Sequence, residues 1–122
     1  MGAHTLRLIT AYRRQEHAYE RVLELACDGL ETVRSGGALG ELHEINRHKE
    51  RMLAEVGRID GEIDEERRQW RTAETVGAET ADLEQLLARI AALIELILSK
   101  ERETDRWIAH GVGLGDATEA IN

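Results

Sequence analysis

The stretch that decides the fold is residues 42–73, LHEINRHKERMLAEVGRIDGEIDEERRQWRTA. Its core-type positions recur in alternating steps of three and four, which places them along one side of a long α-helix. This heptad seam consists of Leu42, Ile45, Lys49, Met52, Val56, Ile59, Ile63, Glu66, Trp70 and Ala73. Because an isolated helix gains most of its stability from packing its apolar face, the stretch predicts helix-on-helix packing.

Three long helices are predicted in all. The first covers residues 5–34 and ends at Ser35-Gly36-Gly37, where the glycines favour a left-handed C-terminal cap. The second covers residues 39–72, and a linker over residues 74–80 leads to the third, which covers residues 81–110 with Thr80 as its N-cap. The seam of the first helix is Ile9, Tyr12, Glu16, Tyr19, Leu23, Ala26, Leu30 and Val33.

Composition supports an all-α fold in one domain. The 122 residues contain no Pro, the strongest helix breaker, and 33% of them are charged. Short connections between long helices favour a long antiparallel hairpin extended by a third helix, or an up-down-up three-helix bundle. We therefore predict a single helical-bundle domain over residues 1–110 and a flexible, glycine-rich tail over residues 111–122.

Charge and cysteine content exclude several classes of protein. The net charge of −8 repels phosphate backbones and acidic lipid surfaces, so we expect no nucleic-acid partner and no binding to an acidic membrane surface. The longest apolar stretch, residues 83–98, is too short and too charged to span a membrane, so we expect no membrane insertion. The single cysteine, Cys27, can form no internal disulfide, which fits a reducing compartment. The N-terminal residues lack the apolar run of a signal peptide, and a cytoplasmic location is predicted.

Catalytic and metal-binding patterns are missing from the sequence. His43 and His48 resemble a zinc-protease motif, but their spacing of five residues separates them by about 140° around a helix. No Glu-x-x-His pair of the di-iron type occurs, and Asp28 beside Cys27 discourages a reactive thiolate. We predict neither an enzyme nor a metal or cofactor site.

Charged residues on the seams have two interpretations. Lys49, Glu66 and Glu16 either lay their aliphatic stems over the core with their charges in solvent, or fix the register and choice of partner. The first interpretation is preferred. If the hairpin register allows, Lys49 pairs with Glu16.

The third helix carries the broadest apolar face, and it is the predicted partner-binding site. The face either packs entirely in the core or leaves an exposed edge that receives a helix of another protein. The predicted binding residues are Leu86, Leu93, Leu96, Ile97 and Trp107. Leu96 falls outside the seam, so we expect it to be exposed, and Leu25, opposite the first seam, is a second candidate for an exposed apolar residue.

Roughly residues 15–110 resemble a known family of helical proteins. The resemblance is carried by Tyr19-x-x-Val22-Leu23-x-Leu25-Ala26, by Leu42, Ile45, Lys49 and Met52-Leu53, and by Asp82-Leu83-Glu84-Gln85-Leu86-Leu87 through Ile97-Leu98. In these segments the chain resembles the flagellar type III export chaperones of the FlgN and FliT kind.

That resemblance implies a cytosolic chaperone without a catalytic centre. It implies binding of a helix of an export substrate, such as a hook–filament junction protein, in an apolar groove, and delivery to the export apparatus. The alternative function is a structural coiled-coil or adaptor protein whose heptads mediate self-assembly or protein–protein interaction. The mixed residues on the seams also allow a homodimer and do not select one oligomeric state.

Overall fold

The computed structural model describes the backbone of residues 3–72 and 78–121, and the side chains of residues 5–71 and 80–110. Within these ranges the chain forms four helices and no strand, which confirms the predicted all-α class. The helices are α1 (Ala3–Arg34), α2 (Leu39–Glu62), α3 (Asp64–Thr72) and α4 (Ala78–Ile121).

Contacts between distant residues define the directions of the helices. Arg14 near the middle of α1 forms an ion pair of 3.2 Å with Glu62 at the end of α2, whereas Gly29 lies against Leu42 at the start of α2. α1 and α2 are therefore antiparallel. α4 runs parallel to α1, because Glu16 pairs with Arg89 at 2.8 Å and Arg34 with Glu103 at 3.4 Å. This is the predicted up-down-up bundle.

α1 lies between α2 and α4 and buries two adjacent seams. Ile9, Tyr12, Ala26 and Leu30 of the predicted seam are buried. A second seam, shifted by one residue, is buried as well and consists of Leu8, Ala11, Gln15, Ala18, Val22 and Leu25. The prediction that Leu25 is exposed is wrong, since only 4% of its surface is accessible. A helix with neighbours on two sides buries a wider arc than a single heptad seam.

The main core occupies one end of the bundle. It joins the N-terminal half of α1 to the end of α2 and the start of α4. Leu8, Ile59 and Leu83 are fully buried there, and Tyr19, Trp70, Leu87 and Ile94 pack around the cluster with part of their surface accessible. The Gln15 amide adds a polar contact, because it donates to the Val56 carbonyl at 3.1 Å and to Asp60 at 2.6 Å.

The predicted second helix is interrupted at Ile63, so it forms α2 and α3 instead of one helix. Ile63 has φ −112° and ψ 13°, outside helical geometry. Asp64, Glu65 and Glu66 follow, an acidic first turn that suits the start of a new helix. Two backbone hydrogen bonds of helical spacing link α2 to α3 at this break. The Ile63 N–H donates to the Ile59 carbonyl at 3.2 Å, and the Arg67 N–H donates to the Ile63 carbonyl at 2.9 Å.

The third predicted helix is longer than expected at both ends. It begins at Ala78, so Thr80 lies inside α4 and is not its N-cap. It continues past His110 to Ile121, because the glycines of this segment weaken a helix without preventing it and no Pro interrupts it. The flexibility of residues 111–122 stays a prediction. Ala73 and most of the predicted linker lie outside the described residues.

The end of α1 has the predicted left-handed glycine. Gly36 has φ +72°, and its N–H donates to the Val33 carbonyl, while the N–H of Gly37 donates to the Thr32 carbonyl at 2.7 Å. These two bonds form a Schellman motif, which satisfies the last carbonyls of α1 and turns the chain toward α2.

Replacing Gly36 and Gly57 by Ala should change stability in opposite directions. Gly36→Ala places a Cβ in the left-handed region and should lower the free energy of unfolding by about 1 kcal/mol. Gly57→Ala adds a Cβ inside α2 where no atom lies within 4 Å, and should raise it by about 0.5–1 kcal/mol. Urea denaturation of both variants checks this, and a neutral Gly36→Ala would contradict the assigned cap.

Candidate functional site

An open groove runs between α2 and α4. In the described residues, no Cα atom of α2 lies within 8 Å of a Cα atom of α4, although each helix packs against α1. α1 therefore separates the two helices and forms the floor between them. The side chains of Tyr19 and Val22 provide this floor beyond the main core.

The groove has a volume of about 490 Å³. α2 forms one wall and α4 the other. The α2 wall consists of Asn46, Lys49, Glu50 and Leu53, and the α4 wall of Ile94, Ile97, Leu98 and Glu101. Apolar side chains dominate the floor and the α4 wall, which is the composition expected of a surface that takes an apolar ligand or helix.

Leucines on both walls remain accessible to solvent. Leu53 on α2 is 46% exposed and Leu98 on α4 is 45% exposed. Single exposed leucines are common, but here two of them line the same concave surface above the buried Val22. The groove thus leaves apolar area in water that a bound partner would cover.

An ion pair connects the two walls. The Lys49 ammonium donates to the Glu101 carboxylate, and the lysine side chain is only 11% exposed. The preferred interpretation of Lys49, with its charge in solvent, is therefore wrong, because its charge is buried against a carboxylate. The pair helps to set the spacing of α2 and α4.

The predicted pairing of Lys49 with Glu16 does not form. Glu16 lies on the side of α1 that faces α4 and pairs with Arg89, whereas Lys49 approaches α4 from the other side. Glu66 is also buried and pairs with Arg7 at 3.1 Å, so its charge is held between α3 and α1.

Tyr19 is the polar element of the groove floor. Burial raises the pKa of its phenol above the ordinary value, and the negative charge of Asp60 adds to the increase. The phenol therefore stays un-ionised at neutral pH, and its ring adds apolar surface beneath the leucines.

The residues predicted to bind a partner do not form one surface. Leu86 belongs to the buried core, so a partner cannot reach it without unfolding α4. Ile97 is buried on the α4 wall of the groove. Trp107 is exposed further along α4, in a depression shared with Glu103 and Arg106.

Leu93 and Leu96 lie on the opposite flank of α4. They line a shallow depression with Glu16, Glu20 and Arg89. Leu96 is 50% exposed, which confirms that it lies outside the core. Leu96 and Leu98 are two positions apart in the sequence, so their side chains point about 160° apart around the helix.

Sequence reasoning missed Leu53, Leu98 and Tyr19 as groove residues. The sequence contained an indication for Leu53 and Leu98, because each directly follows an apolar seam residue and so widens the apolar face of its helix. Leu53 follows Met52, and Leu98 follows Ile97. What the sequence does not contain is the rotation of α2 and α4 about their axes, which brings the two widened faces to the same groove.

The histidines and the cysteine considered as metal or catalytic residues, His43, His48 and Cys27, do not line the groove. His43 and His48 are both exposed, and Cys27 is a free, exposed thiol. In residues 5–71 and 80–110, no group of three or more His, Cys, Asp or Glu side chains is placed to hold a metal ion. Over the same part of the chain, every helix is too short or too polar for a membrane span.

Comparison with known proteins adds no relative. No protein-family model matches the chain, and neither the curated proteins nor the solved structures contain a significant match.

Proposed function

We propose that this protein is a cytosolic binding module of the export-chaperone type, which holds an amphipathic helix of a protein partner in the groove between α2 and α4. The observation that carries the proposal is the pair of exposed leucines, Leu53 and Leu98, on opposite walls above an apolar floor. Covering exposed apolar surface is the main favourable contribution to such association.

The dimensions of the groove suit a short helical segment. Its α4 wall runs from Ile94 to Glu101, which at 1.5 Å per residue is about 10 Å, or two helical turns. A partner helix contacts such a wall through apolar residues at positions i, i+3, i+4 and i+7. An interface of this size favours weak, exchangeable binding, which suits a protein that must release its cargo.

The resemblance to flagellar export chaperones points to the class of partner. Several residues that carry the resemblance also line the groove, namely Tyr19, Val22, Lys49, Leu53, Ile97 and Leu98. In the proposed role the groove shields a helix of a hook–filament junction protein until it is delivered to the export apparatus. No residue has a catalytic role in this proposal.

Two glutamate substitutions on α4 test the proposal. The measurement is binding of purified protein to the hook–filament junction protein of the source organism. Leu98→Glu should weaken binding at least tenfold, or ~1.4 kcal/mol, because a charge replaces a groove contact. Leu96→Glu is the matched control, because it makes the same substitution at a leucine of similar exposure that lies on the opposite flank of α4. It should leave binding within about twofold, since scattered surface positions contribute little.

Each other outcome has a definite meaning. Loss of binding with Leu96→Glu alone would move the site to the flank with Leu93, where the sequence placed it. No binding by the unmodified protein would refute the export-substrate proposal. A dimer in analytical ultracentrifugation that Leu98→Glu dissociates would favour the alternative, a coiled-coil or adaptor protein that assembles with itself. Circular dichroism of both variants checks that the helices are intact.

A further inference from the structure

We infer that the helix bound in the groove is basic: it carries Lys or Arg beside its apolar stripe, and these residues pair with Glu50 on the α2 wall and Asp105 on α4. This inference rests on the proposed function and specifies the chemistry of the partner.

The charges that line the groove do not cancel. Lys49 and Glu101 neutralise one another across the floor, which leaves the carboxylate of Glu50 as the excess charge of the lining. Glu50 is exposed, and no described Lys, Arg or His forms an ion pair with it. The nearest arginine of the preceding turn, Arg47, is held by Glu44 at 3.2 Å.

A second carboxylate lies on α4 one turn beyond the residues that line the groove. Asp105 follows Glu101 by four residues and therefore lies on the same side of α4, one turn further on. It is exposed, and within the described residues it has no ion partner. A helix that lies over Leu53 and Leu98 and continues one turn past Glu101 therefore approaches Asp105 as well as Glu50.

These carboxylates contribute more to the specificity of binding than to its affinity. Exposed ion pairs contribute little affinity, but a like-charged partner suffers repulsion at both positions. A partner with glutamates flanking its apolar stripe is disfavoured, and one with lysines or arginines also associates faster with this acidic protein.

Two designed peptides test the inference. Both are 18-residue helices with the same leucine stripe at i, i+3, i+4 and i+7; one has Lys at the flanking positions and the other has Glu. Fluorescence anisotropy in low salt should show the Lys peptide binding the unmodified protein at least about fivefold more tightly. The preference should shrink as salt is added, because exposed pairs are screened.

A matched pair of variants separates the groove from the overall charge. Glu50→Gln should reduce the preference for the Lys peptide to within about twofold, while binding of the peptide through its leucines persists. Glu84→Gln removes the same charge from an exposed position outside the groove, on α4 about 15 Å along the helix from Ile94. This variant should leave the preference for the Lys peptide unchanged.

The outcomes distinguish the inference from the proposed function. If both peptides bind equally and Leu98→Glu weakens both, the groove binds helices but does not select basic ones, and the inference is wrong. If Glu50→Gln and Glu84→Gln lower the preference equally, the selection comes from net charge, and the inference is again wrong. If neither peptide binds the unmodified protein, the proposed helix-binding function itself fails.

Discussion

Leu83→Ala should lower the free energy of unfolding by about 3 kcal/mol. Leu83 has 0% of its surface exposed and lies in the cluster that joins α4 to α1 and α2. Truncation removes buried methyl groups and leaves a cavity in the cluster that contains Leu8 and Ile59, where the surrounding helices cannot fully collapse. The loss is a large fraction of the 5–15 kcal/mol that stabilises a typical domain.

Urea denaturation followed by circular dichroism measures this loss. Leu96→Ala is the control, because it removes the same atoms from a half-exposed leucine on the same helix and should change stability by less than about 0.5 kcal/mol. Equal effects of the two substitutions would contradict the packing of α4 against the core.

Glu101→Ala should lower the free energy of unfolding by about 2 kcal/mol. It leaves the Lys49 ammonium buried between α2 and α4 without its carboxylate. The estimate lies below the 3–5 kcal/mol typical of fully buried pairs, since Glu101 is one-third exposed and water can reach the vacated site.

The neighbouring pair of Arg34 and Glu103 provides the control. It also joins α4 to another helix, but the Arg34 side chain is 44% exposed, against 11% for Lys49, and the pair is 3.4 Å long. Glu103→Ala should therefore cost about 0.5 kcal/mol or less. In addition, Lys49→Met combined with Glu101→Leu should recover most of the stability lost in Glu101→Ala, because no unpaired charge remains. A double variant as unstable as Glu101→Ala would show that the pair does not act as described.

The positions of the helices could be predicted from the hydrophobic periodicity, but the number of helices that pack against each one could not. Alternating steps of three and four located the helices, and the short connections between them predicted the up-down-up packing. Periodicity reports an apolar face, not how many helices cover it, so the second seam of α1 and the burial of Leu25 were missed. The break at Ile63 was missed because the heptad spacing continues through it.

The site was predicted less well, for a geometric reason. The exposure of Leu96 followed from its angle on α4, a property of one helix. The groove depends on two helices that do not follow one another in the chain: the partner of Lys49 is Glu101, 52 residues away. No local pattern encodes the rotation that brings these walls together, and Leu86 was placed in the site although it packs in the core.

The parallel arrangement of α1 and α4 has a consequence for the order in which the protein forms during synthesis. α1 and α2 are joined by a short turn and can pair as soon as both have left the ribosome, whereas the partner of the other seam of α1 lies in residues 78–110. At 5–20 residues per second, the 38 residues from 73 to 110 take about 2–8 s to synthesise. During that interval the side of α1 that later packs against α4, which includes Ile9, is uncovered and exposed to aggregation. The groove forms only after α4 has been synthesised.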